Sequence, residues 1–140
     1  MSEHKNAGHC QCGAVTFETT GKLRPVVACH CRECRRMTGN FMAATASLLS
    51  DFKLTNDTGL KWFRSSKRAK RGFCSQCGTN LFWQQDNSPT ISITAGTMND
   101  DVKLEFWGHI YVGEKADYYS INRDELQFET HSDDYPILDD

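Results

Sequence analysis

The sequence predicts an all-β fold, mainly strands with a few short helical turns, and three observations carry the prediction. Short β-rich stretches separated by turn residues recur from Ala14 to Val112. No segment sustains the 3.6-residue apolar period of a long helix. Seven cysteines fall into three clusters, none standing alone, and so offer cross-links to a chain of many short elements. The 140 residues are read as one domain, 1–140, with its core at about 8–122 and an acidic tail at 124–140.

The elements follow in order. Ala14–Thr20 is β-rich and leaves the first cysteine cluster directly, and Val26–Ala28 leads into the second. Arg32–Thr38 forms a helical turn stopped by Gly39-Asn40, and Phe41–Leu48 is a strand of small and apolar residues. Phe52–Thr55 and Leu60–Ser65 flank Asn56-Asp57-Thr58-Gly59, which predicts a hairpin. Lys67–Phe73 enters the third cluster and Thr79–Gln84 leaves it. Asn87-Ser88-Pro89 is a turn, and Ile91–Ala95 and Val102–Val112 are further strands. Residues after Ile121 are acidic and are expected to cover the surface or fray.

Composition excludes several classes. An apolar fraction of 39% and a charged fraction of 24% are those of a globular protein, not of a disordered chain, collagen or a coiled coil. No apolar run reaches the ~18 residues of a membrane span, and the polar start has no apolar signal region, so a cytoplasmic location is expected. The net charge of −2 is uneven. Asp124 to Asp140 holds seven acids and no Lys or Arg, which leaves 16 bases against 11 acids in residues 1–123. Such a body is a weak pointer to an anionic ligand.

The cysteines carry the chemistry. In a reducing compartment thiols stay unpaired, and clusters one or two residues apart read as metal ligands. Cys10-Gln11-Cys12-Gly13 and Cys74-Ser75-Gln76-Cys77-Gly78 both end in Cys-Gly, where glycine tolerates the tight curl of a metal knuckle. Brought together they give four thiolates, a closed tetrahedral site of the structural zinc kind. Cys29, Cys31 and Cys34 offer three ligands, which leaves one tetrahedral position open, the pattern of a catalytic zinc. Two Zn2+ per chain are therefore expected, the second less firmly held. Arg32, Arg35 and Arg36 lie beside the open site and are candidate contacts for a substrate anion, with plain surface charge as the competing reading.

Other readings of the same residues stay open. Cys31 and Cys34 form a C-x-x-C that would suit redox chemistry, and His30 or a distant histidine would close a second structural site. His109, on an apolar strand, is a candidate for supporting the ligands rather than binding metal. The basic run Arg64, Lys67, Arg68, Lys70 and Arg71, with Trp62, Phe63 and Phe73 nearby, has the mix of a nucleic-acid surface. A pI of about 6.2 favours a solvated strand face instead.

The ordered set C-x-C-G, C-x-C-x-x-C and C-x-x-C-G resembles the family of glutathione-dependent formaldehyde-activating enzymes, which includes centromere protein V. Gly39-Asn40-Phe41, Arg71-Gly72-Phe73-Cys74, Gly96-Thr97-Met98-Asn99-Asp100 and His109-Ile110-Tyr111-Val112 extend the likeness, so that it covers roughly residues 8 to 122. The resemblance implies an Mss4-like fold, two antiparallel sheets around a structural zinc. It implies Cys10, Cys12, Cys74 and Cys77 as structural ligands and Cys29, Cys31 and Cys34 as catalytic ones. It also implies a carbon–sulfur lyase of the S-(hydroxymethyl)glutathione synthase type, joining a small thiol such as glutathione to a small aldehyde such as formaldehyde. The alternative is a non-catalytic, zinc-stabilised binding module for protein or nucleic acid.

Overall fold

The computed structural model describes residues 5–138. Eleven strands and one α-helix occur among the described residues. They are β1 Lys5–His9, β2 Thr16–Thr20, β3 Val26–Cys29, α1 Arg32–Thr38, β4 Met42–Leu48, β5 Phe52–Asn56 and β6 Leu60–Arg64, then β7 Ala69–Cys74, β8 Asn80–Gln85, β9 Thr90–Thr94, β10 Phe106–Ile110 and β11 Leu126–Gln127. They form a three-stranded sheet, β1-β2-β5, and an eight-stranded sheet in the order β11-β10-β3-β4-β9-β8-β7-β6. Among the described residues no helix is long and apolar enough to cross a membrane.

The mainly-β expectation holds, with three local differences. The large sheet is mixed: β10 runs parallel to β3, and β11 parallel to β10. After β9 the chain crosses to the far side of β3 rather than turning back in a hairpin, so it arrives in the parallel sense. The hairpin expected at Asn56–Gly59 does not form. β5 pairs with β2 in the small sheet and β6 with β7 in the large one, so this turn carries the chain between sheets. Its Gly59 is buried against the first cysteine knuckle; a Cβ there would meet Ala14 Cβ at 2.8 Å and Cys74 Sγ at 2.9 Å. Glycine is needed for that close approach and not for a left-handed turn. Finally, the span Val102–Val112 contributes a strand only over Phe106–Ile110, and the tail is not loose: β11 lies within it.

The core fills the space between the sheets. Val15 and Phe17 come from the β2 side, and Leu81, Phe82, Ile91 and Ile93 from β8 and β9, with Met98 closing one end. Phe82 takes Phe17 and Phe52 edge-on, with centroids 5.3 Å apart in each case, a favoured arrangement of aromatic quadrupoles. The opposite face of the large sheet forms the wall of a cavity. Val27 and Cys29 of β3, Met42 and Ala44 of β4, Thr90 and Ser92 of β9, Trp83 and Gln85 of β8, and Arg71 of β7 all line one cavity. Within each strand these residues stand two apart, so they share the face turned away from the core.

Gly59→Ala is expected to destabilise the protein by about 1–3 kcal/mol through overpacking against Cys74. Urea unfolding measures it, and a midpoint equal to the parent's would contradict the close approach described.

Candidate metal centres

The two Cys-Gly knuckles meet. The four sulfur atoms of Cys10, Cys12, Cys74 and Cys77 lie within 4.8 Å of one another, although the knuckles are more than 60 residues apart in the chain. Both knuckles fold alike. The Cys10 and Cys74 amides donate to the Val15 and Thr79 carbonyls, each at 3.0 Å, and the Gly13 and Gly78 amides turn back to the Cys10 and Cys74 carbonyls. Gly13 and Gly78 take φ of 84° and 82°, the left-handed curl that Cys-Gly promised. The Val15 amide donates to Cys10 Sγ at 3.3 Å. Cys12 Sγ is 3.8 Å from Cys10 Sγ and 3.7 Å from Cys74 Sγ. Sulfurs at about 2.3 Å from a tetrahedral zinc would stand about 3.8 Å apart, so this donor set fits such an ion.

The second cluster sits where β3 ends. Cys29 is its last residue, beside Met42 of β4 and Ile110 of β10. Cys31 caps α1, its sulfur accepting from the Cys34 amide at 3.4 Å, and the helix stops at Gly39 with φ of 86°. This places the sulfurs of Cys29, Cys31 and Cys34 within 4.8 Å of one another. Three thiols so close cannot all ionise unaided. Hydrogen bonding to Cys31 pushes the Cys29 thiol far above the ordinary range, and the same bond lowers Cys31 to about 2. A divalent cation removes that conflict, and the soft donor set suits zinc.

His30 does not complete the set. It is fully buried between two of the cysteines, with both ring nitrogens engaged: Nδ1 with the Tyr119 hydroxyl at 2.5 Å and Nε2 with His109 Nδ1 at 2.9 Å. His109 Nε2 then reaches Glu125 Oε1 at 3.1 Å. Since the carboxylate only accepts, His109 donates to Glu125, His30 donates to His109, and Tyr119 donates to His30. Burial, and then the nearness of His109 and Lys115, lowers the His30 pKa to about 4 and keeps it neutral. His109 thus takes the supporting place expected of it, and the chain of four side chains anchors the backbone that carries Cys29 and Cys31.

The cysteines face a cavity of about 550 Å3. Two guanidiniums line it, and neither is among those the sequence singled out as anion contacts. Arg71, read from the sequence as part of a solvated basic strand, is 4% exposed. It donates from Nε to Glu33 at 3.0 Å and from Nη2 to Cys34 Sγ at 3.4 Å. The signal for it was parity: Arg71 stands opposite Trp83 on the cavity face of the sheet, while the next pair, Gly72 and Phe82, faces the core. Arg24 is 6% exposed and donates to the Ala44 carbonyl at 2.7 Å and to the Tyr135 hydroxyl. Arg32 and Arg36 are exposed, Arg35 donates to the Glu114 carbonyl at 2.9 Å, and none of the three lines the cavity. On the far edge of the sheet, Arg64 pairs with Asp86 at 2.8 Å and Lys70 sits 4.3 Å over the Trp62 ring, so part of the basic run is used within the molecule.

His109→Ala leaves the buried His30 N–H without its partner and is expected to cost about 1–3 kcal/mol. Urea unfolding is the check; a loss below a few tenths would mean that the chain from Tyr119 to Glu125 carries no load.

Comparison with known proteins places this geometry. The architecture, mainly β in two sheets, is consistent with the Mss4-like fold. A crystal structure of a Rhodobacter sphaeroides protein is similar with a TM-score of 0.56 and 27% identity, covering 69% of this chain and 90% of that one. An uncharacterized lyase of Schizosaccharomyces pombe is 26% identical over 114 residues, 80% of this chain and 82% of the yeast protein. The family model for the glutathione-dependent formaldehyde-activating enzyme matches residues 5–114, a span that contains all seven cysteines, and the chain belongs to that family.

Proposed function

We propose that the protein is a zinc-dependent carbon–sulfur lyase that makes or breaks the adduct of a small thiol with a small aldehyde, S-hydroxymethylglutathione from glutathione and formaldehyde being the instance the family name indicates. The observation that carries this reading is a three-thiol group on the wall of a cavity, with His30, the histidine between two of the cysteines, turned away from it. The lyase naming of the yeast relative supports the reaction class. In this reading Cys10, Cys12, Cys74 and Cys77 hold a structural zinc, and Cys29, Cys31 and Cys34 hold a second zinc with a position left for substrate.

Zinc in the three-cysteine group supplies a Lewis-acidic position at which a thiol ionises near neutral pH. The protein's own residues do the rest. Arg71 holds Cys34, and Glu33 holds Arg71 from the other side, so the guanidinium offsets thiolate charge without leaving its place. Cap geometry at Cys31 and the His30 anchor fix the directions of the other two sulfurs. The cavity volume lies within the ~300–1,000 Å3 of small-molecule sites and suits a tripeptide thiol. Ser66, Gln85, Ser88, Thr90 and Ser92 offer hydroxyls and an amide to peptide groups, and Glu33, already paired, is the one carboxylate of the lining. Anion recognition, sought in the sequence at Arg32, Arg35 and Arg36, falls by position to the cavity guanidiniums.

The test is zinc per chain on zinc-reconstituted protein, together with calorimetric glutathione binding. The parent is expected to hold two zinc ions and to bind glutathione saturably. Cys31→Ala is expected to keep one zinc and the fold while losing the thiol, and Cys74→Ala to lose the fold with its zinc. A Cys31→Ala protein that binds glutathione as well as the parent does would sink the open-site reading.

A further inference from the structure

The family match ends at residue 114, yet the cavity does not. Its last wall comes from the C-terminal segment. β11 adds to the edge of β10, and the Tyr111, Val112 and Gly113 amides donate to the Thr130, Phe128 and Glu129 carbonyls, zipping residues 126–130 alongside. Phe128 stacks on Trp107 at 5.5 Å and 12°. A tight turn at buried Ser132, whose hydroxyl accepts from the Asp134 amide at 3.0 Å, then swings Tyr135 back over the cavity. There the Tyr135 ring stacks on His131 at 4.8 Å and meets Trp107 edge-on at 5.9 Å.

The Tyr135 hydroxyl is the informative atom. Its neighbour is the Arg24 guanidinium, which also sits 5.1 Å from the ring centroid. A guanidinium only donates, so the phenol oxygen accepts and its own O–H is left to donate elsewhere. Among the described residues it has no other hydrogen-bond partner. Arg24 in turn is a buried cation with no carboxylate against it among the described residues; it donates to carbonyl oxygens and to this phenol. A buried, unneutralised cation is costly, and it favours negative charge on whatever it touches.

We propose that Tyr135 is a catalytic residue, the proton donor and acceptor to the aldehyde-derived oxygen, with Arg24 stabilising its ionised form. The assignment rests on the thiol–aldehyde reading above. In the forward direction Tyr135 starts as the phenol and the incoming thiol as its thiolate. The thiolate pair then forms the C–S bond at the aldehyde carbon, and the C=O π pair moves to oxygen. The Tyr135 phenol delivers its proton to that oxygen, giving the S-hydroxymethyl product and leaving a phenolate beside Arg24, which takes the proton of the next thiol and returns to the phenol. Thiol and aldehyde are consumed one to one and no oxidant is needed. The reverse order cleaves the adduct. Burial pushes the phenol above its usual range and the Arg24 charge offsets this only in part, so the resting residue keeps its proton.

Tyr135→Phe removes one oxygen and keeps the ring contacts, and it is tested on the zinc-loaded full chain. Turnover of glutathione and formaldehyde is expected to fall on the order of 100-fold or more in kcat, with zinc content and glutathione affinity unchanged and the melting temperature lowered only by the loss of one buried hydrogen bond. Calorimetry supplies a readout independent of turnover. S-hydroxymethylglutathione is expected to bind the variant about three- to tenfold more weakly, and S-ethylglutathione, which has the same shape without the hydroxyl, equally well. A variant with kcat within twofold of the parent, or one that weakens both ligands alike, overturns the assignment. So does loss of zinc or of glutathione binding in the variant, which would make Tyr135 structural. A parent that binds glutathione and forms no adduct overturns the proposed reaction, and this role with it; a parent as active as its variant overturns the role alone.

Discussion

Four sulfurs drawn from chain segments more than 60 residues apart meet in a volume the size of one metal ion's coordination shell, and the layout of the two sheets follows from that meeting. The first knuckle hangs from β1 and leads into β2, so it belongs to the small sheet; the second lies between β7 and β8 of the large one. Between them runs the chain at Gly59, its amide bonded to the Ala14 carbonyl and its carbonyl to the Ser75 amide. The sheets therefore approach at one end through thiols and backbone, and along their length through Phe17, Phe82 and Ile93. Removing the side chain at residue 59 is part of the same constraint, because the knuckles close only where the crossing strand carries no Cβ.

Charge governs the other face of the large sheet. Three crowded thiols need positive charge, and the fold brings Arg71 from β7, about forty residues on, to touch Cys34. Glu33 then keeps Arg71 from being a mobile counterion. Beneath the cysteines the solution is different in kind: His30, His109, Glu125 and Tyr119 form an ordered line of donors and acceptors in which each ring has one tautomer. One side of the cluster is electrostatic and adjustable, and the other is directional and fixed. Under the proposed function, in which three ligands stay still while a fourth position changes occupant, both are needed.

Sequence legibility followed the range of the interactions. The Cys-Gly knuckles and the stop of α1 at Gly39 are local, depending on residues within a few positions, and both could be read directly. The division of cysteines into four and three was legible because each cluster brings its own geometry. The turn at Asn56–Gly59 misled, because a glycine in a turn looks the same whether it supplies positive φ or mere absence of bulk, and only the packing of Cys74 tells them apart. Arg71 was misread for a related reason: a strand buried on both faces lacks the polar alternation that would mark its inward positions. β1 and β11 carry weak propensity and exist through their partners, β2 and β10. Tyr135 was invisible, since nothing near it in sequence announces a cavity whose other walls, His131 apart, come from residues 24 to 111.

The parallel joining of β3, β10 and β11 has a consequence for the chain as it is made. β3 and β10, neighbours at the cysteine cluster, lie about eighty positions apart in sequence, and β11 joins the far edge of β10 from further on still. Synthesis at about 5–20 residues per second exposes Cys29, Cys31 and Cys34 for roughly 5–20 seconds before the residues that wall them in have emerged. During that interval three adjacent thiols lack both Arg71, at first, and the C-terminal wall throughout. Their fate depends on how quickly a metal ion or a reducing thiol in the surroundings reaches them, so the nascent polypeptide meets the cell's thiol chemistry before the finished enzyme does.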